Sequence, residues 1–203
     1  MSLSRFAAVL AAASAFACSM ALAQSTPAPP GFTMARAGDV HDFDYFEGGW
    51  ITAQRRLRQR GVGSHDWEEF PATLCMTHYL GGAATVDELY MPTLNRAGLT
   101  LRVFDPNARQ WSIYWINGAT GQLDPVPVVG GFIGDRGEFY ANDHAPDGRP
   151  IKVRFLWTLA DHNHARWEQA ISYDDRTWET NWTADFTRAD TAAVCDSQGR
   201  PRR

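Results

Sequence analysis

The sequence predicts an all-β protein, a single antiparallel meander barrel of about ten strands with a short N-terminal helical turn. Three observations lead there. Turn signals recur about every ten to fifteen residues from Trp50 onward, among them Gly61-Val62-Gly63, Asn95-Arg96-Ala97-Gly98, Asp105-Pro106-Asn107, Gly134-Asp135-Arg136-Gly137 and Pro146-Asp147-Gly148. No stretch between them has the spacing of a long helix. In the last third, finally, large apolar residues alternate with polar ones. The odd positions of 151–159 and 165–172 and the even positions of 177–186 are apolar, while Lys, Arg, Glu, Asn and Asp take the other face. Side chains alternate faces along a strand, so this period of two marks a sheet with one aromatic side to cover. Curling into a barrel covers it.

The elements follow in order. Residues 1–23 carry the marks of a secretory signal: Arg5, an apolar and small-residue run from Phe6 to Leu22, and the small-x-small triplet Ala21-Leu22-Ala23. Residues 24–38, rich in Pro, Ala and Gly, form a flexible leader. The barrel domain spans 39–190. It begins with Phe43, Phe46 and Trp50 at helical spacing, which suits one turn feeding the first strand. Arg55-Arg56-Leu57-Arg58-Gln59-Arg60 then suits a strand running into a turn. Residues 191–203 are expected to be a polar tail.

The last strands can be paired by inspection. A two-residue turn at Asp174-Asp175 sets Trp167 opposite Trp182, Gln169 opposite Thr180 and Ile171 opposite Trp178. A three-residue loop at 162–164 sets Leu159 opposite Trp167 and Trp157 opposite Gln169. Both registers keep one apolar face across three strands, and a one-residue slip in either would break it.

Composition narrows the function. The formal charge is −4, and −5 once Arg5 leaves with the signal. That acidity argues against a nucleic-acid partner, which needs a basic patch. No stretch after the signal approaches the roughly 18 apolar residues of a membrane span, so the expected site of action is periplasmic or secreted. Export leaves two cysteines, Cys75 and Cys195, for which a disulfide and two separate thiols are both open readings.

The best candidate site is the aromatic face itself. Phe155, Trp157, Trp167, Trp178 and Trp182 would form apolar walls, with Gln169 and Thr180 as polar contacts, the usual plan of a small-molecule pocket. A filled core in which Gln169 and Thr180 merely bond each other is the structural alternative. An enzyme acting through Glu168, with Arg154, Arg166 and Asn181 beside it, is a second. Putting those charges inside would leave the tryptophans outside, which disfavours it. No metal and no cofactor is expected, since His162-x-His164 is explained by turn composition, although His78 could point inward. Aromatics left exposed after closure would suggest a homodimer.

The chain resembles the lipocalin-like (calycin) barrels, and among them secreted bacterial proteins of that shape, through Phe46-Glu47-Gly48-Gly49-Trp50 and Phe186-Thr187-Arg188. The resemblance implies that Trp50 and Arg188 pack together and shut one barrel end. It also implies binding of a small apolar molecule.

Overall fold

The fold is that of a computed structural model, which describes residues 35–203. The expected signal and most of the leader lie outside the described residues. Eleven strands form one antiparallel sheet: β1 Gly48–Leu57, β2 Trp67–Tyr79, β3 Ala84–Met91, β4 Arg96–Asp105, β5 Gln110–Asn117, β6 Gln122–Leu123, β7 Val128–Ile133, β8 Arg136–His144, β9 Pro150–Asp161, β10 His164–Ser172 and β11 Glu179–Arg188. Consecutive strands pair, except that β7 joins β5 and the two-residue β6 only extends the end of β5. The first and last strands also pair, with Trp50 opposite Arg188 and Arg56 opposite Trp182. The result is a closed ten-stranded meander, as the sequence predicts.

One end is plugged. The helical turn expected near Phe43 is the 3-10 turn Asp44–Phe46. It drives Phe43 and Phe46 into the barrel, where Phe43 meets Trp111, Phe132 and Phe139 with ring centroids 5.0–5.9 Å apart. The Trp50 indole N–H donates to the Phe46 carbonyl at 3.0 Å, and the Arg188 guanidinium lies 4.2 Å from the Trp50 ring. Arg188 also donates to the carbonyls of Glu47 and His162, at 3.0 and 3.1 Å. A cation on an indole with its protons satisfied by backbone is a durable lid.

The C-terminal segment is packed rather than loose. Asp190 caps the short helix α1, Thr191–Val194, by accepting from the Ala192 N–H. The disulfide Cys75–Cys195 then fastens the segment to β2, and Arg203 pairs with Glu88 at 2.6 Å. This packing explains Gly49: a Cβ there would lie 2.5 Å from Val194 Cγ2 and 3.1 Å from the Thr191 backbone. At the other terminus, the Gly38 N–H donates to the Arg109 carbonyl at 2.7 Å, and Arg36 pairs with Glu138.

The registers differ from those read by inspection, by two residues between β9 and β10, and between β10 and β11 by one beside the turn, where Ile171 faces Glu179, and by two beyond the bulge at Asn181. Trp167 faces Trp157 on β9 and Ala184 on β11, and Gln169 faces Phe155 and Trp182. A slip of two preserves faces, so the aromatic side stays inside. The causes are local. Between β10 and β11 the Asp174 carboxylate accepts the Arg176 and Thr177 N–H groups at 2.9 and 2.7 Å. That Asx-type turn makes the connection longer than two residues. Between β9 and β10 the turn shortens to 162–163 and the extra residue is absorbed as a bulge at Ala160.

Candidate functional site

Inside the closed sheet lies a cavity of about 500 Å³. Its aromatic wall comes from β5 and β9–β11: Trp115, Phe155, Trp157, Trp167, Trp182 and Phe186. Trp167 meets Trp182 edge to face at 5.6 Å and Phe155 meets Trp167 the same way at 5.0 Å, while Trp157 lies tilted against Trp167 and Phe186, contacts that hold the rings in place. The mouth is at the end opposite the plug. Arg58, Arg60, Arg96, Asn117 and Asp124 line it and are exposed.

Polar groups are set into this wall in two places. Near the mouth, the Trp182 indole donates to Gln54 Oε1 at 2.8 Å, and Gln54 Nε2 donates to the Thr52 hydroxyl at 2.7 Å. Gln169 Nε2 donates to Asn181 Oδ1 at 2.8 Å. Near the plug, β3 and β4 contribute Asp87 and Arg102, an ion pair 1% and 4% exposed that also lines the cavity. The Arg102 guanidinium sits 4.8 Å from the Phe43 ring, and it reaches Thr85 Oγ1 at 3.4 Å and Met76 Sδ at 3.8 Å.

Most of the residues singled out from sequence are brought together here. Phe155, Trp157, Trp167, Gln169 and Trp182 all line the cavity. Thr180 and Trp178 do not. β11 carries an extra residue at Asn181, where the register shifts between Gln169 and Ala170. This bulge turns Asn181 inward and Thr180 onto the outer face beside Glu168 and Thr183. Asn181 thus takes the role expected of Thr180. Trp178 precedes β11 and stacks outside, with the Arg154 guanidinium 4.4 Å from its ring and Tyr140 6.3 Å away.

Glu168 is on the outer face, paired with Arg166 at 2.9 Å, which also reaches Asp185 at 2.6 Å. His78 lies against the plug, with Nε2 3.3 Å from the Phe43 carbonyl. Among the described residues, none of the cavity-lining residues is a histidine, and no cluster of three metal-ligating side chains occurs.

The Trp178 patch has its own electrostatics. Burial, helped by a hydrogen bond to Glu138, pushes the Tyr140 phenol up to about 12. Burial also pushes Glu138 up, but donors from Arg136 and Tyr140 and the charge of Arg36 outweigh it, and its carboxyl ends below the usual range. A phenol whose folded pKa is raised stabilises the fold fully below its unfolded pKa near 10, and that stability is lost as pH rises through about 12. The stability difference between wild type and Tyr140→Phe is therefore expected to shrink across pH 10–12. Denaturant midpoints at each pH measure it, and a constant difference would contradict the raised pKa.

Comparison with protein-family models and with curated proteins finds no match to this chain.

Proposed function

We propose that this protein is an exported, lipocalin-like barrel that binds a small, largely apolar molecule. The observation that carries the reading is the roughly 500 Å³ cavity walled by tryptophan and phenylalanine with a few fixed polar groups. Small-molecule sites run from about 300 to 1,000 Å³ and follow that plan. A packed structural barrel would have filled the space with side chains. Catalysis through Glu168 draws no support from its position, since an outward carboxylate paired with an exposed arginine is an ordinary surface arrangement. Export is supported by the pattern of residues 1–23 and by Cys75–Cys195, because disulfides persist in oxidising compartments. Among the described residues no helix is long and apolar enough to cross a membrane.

The test is native mass spectrometry of the protein purified from the periplasm, beside a denatured control. Excess mass that leaves on denaturation is expected, and no excess mass even after incubation with periplasmic extract would count against binding. Because four cavity residues are tryptophans, binding should also quench or shift intrinsic fluorescence. Glu168→Gln is expected to change ligand affinity by less than about twofold, as an outer-face ion pair should. A loss of tenfold or more in that titration would revive the catalytic face.

A further inference from the structure

Among the described residues, four buried atoms of cavity-lining side chains have no hydrogen-bond partner, Asp87 Oδ1, Arg102 Nε, Trp157 Nε1 and Asn181 Nδ2, and the first two belong to one ion pair. Asp87 uses one carboxylate oxygen on Arg102 Nη1. Its other oxygen, Oδ1, has no hydrogen-bond partner among the described residues, and neither has Arg102 Nε. Both side chains are more than nine-tenths buried, and both line the cavity. Buried polar groups are normally satisfied, and an unsatisfied one marks a place where something else completes it.

The chemistry of what completes it is constrained. Asp87 and Arg102 neutralise each other, so the pair carries no net charge. A carboxylate or ammonium brought beside it would be a third charge in a buried site with no counterion. A hydrocarbon would cover the orphan oxygen and N–H and leave them unmet. What fits is an uncharged group that gives one proton and accepts another. A hydroxyl or an amide does this, donating to Asp87 Oδ1 and accepting from Arg102 Nε. The pair sits on the Phe43 side, by the plug, and the tryptophans extend toward the mouth.

Resting on the binding reading above, we infer that the ligand is an uncharged molecule with an aromatic or aliphatic body and one hydroxyl or amide group, seated with that group on Asp87 and Arg102. The pair selects against acids and amines of the same skeleton. The wider tryptophan wall holds the body.

Four probes that share one ring system test this: naphthalene-2-methanol, 2-naphthamide, 2-naphthoate and 2-methylnaphthalene, titrated calorimetrically into the purified protein. The alcohol and the amide are expected to bind at least about tenfold tighter than the other two, as a site that hydrogen-bonds a group rejects the analogue lacking it. In the double variant Asp87→Leu/Arg102→Met that advantage should fall below about twofold while 2-methylnaphthalene binding is retained. In Asp87→Asn, where Arg102 loses its counterion, 2-naphthoate should gain at least about tenfold. The double variant decides the matter alone if Asp87→Asn does not fold.

Naphthoate or methylnaphthalene binding the wild type as tightly as the alcohol would overturn the inference and leave the cavity reading standing. So would an alcohol preference that survives the double variant. Failure of all four probes would overturn both.

Discussion

Asp87→Ala is expected to destabilise the protein by about 3–5 kcal/mol, because it strands the Arg102 guanidinium as an unpaired charge in the interior. Arg102 is 4% exposed and stacked on Phe43, so most of its guanidinium stays desolvated even though the pair lines the cavity. Removing both charges should behave differently. Asp87→Leu/Arg102→Met replaces a desolvated ion pair with apolar groups of similar size and is expected to lie within about 1–2 kcal/mol of wild type. Urea unfolding followed by tryptophan fluorescence gives both numbers. A single variant no worse than the double would mean that Arg102 finds solvent or another partner, and the buried-pair account would fail.

The second large effect concerns the covalent tie. Cys75 and Cys195 are 120 residues apart, and a loop of that length corresponds to about 5 kcal/mol of unfolded-state entropy. Other contacts hold the same segment: α1 lies against β1, and Arg203 pairs with Glu88. We therefore expect Cys75→Ala/Cys195→Ala to lose about 2–4 kcal/mol, below that ceiling. For a chain of this size that lowers Tm by about 5–15 °C. Thermal unfolding measures it directly, with and without reductant. A wild type whose midpoint ignores reductant while the variant matches it would remove the disulfide from the stability account.

How legible all this was in the sequence varied along the chain. β9, β10 and most of β11 declare their faces, because one side is aromatic and the other charged. Register was less accessible. The bulge at Ala160 moved the β9–β10 pairing by two residues, and the Asp174 turn together with the bulge at Asn181 moved the partners of Trp167 and Gln169 on β11 by two, an even shift that no alternation pattern can detect. The bulge at Asn181 is worse for a reader of patterns, since it reverses the face of everything before it on β11. That is why alternation alone places Thr180 and Trp178 inward.

β4 hides its function altogether. Its inward residues are Gly98, Thr100, Arg102 and Phe104, while Leu99, Leu101 and Val103 take the other face. Alternation alone would put the leucines inside and the arginine out. Only the pairing of Thr85 with Arg102, which sets Asp87 one step along the same face, offered a signal.

The seam between β1 and β11 carries a kinetic consequence. Residue 50 must find residue 188, and 56 must find 182, before the sheet has no free edges. Contacts so distant in sequence are slow to form, on the scale of about milliseconds to seconds for all-β topologies. The strand that closes the seam also supplies Trp182 and Phe186 to the cavity wall. Until it docks, the pocket is half built and two strand edges stand open to other chains. Crowding during synthesis is therefore most dangerous in the interval before β11 arrives, and a ligand present at that moment would favour the closed chain over its aggregates by mass action.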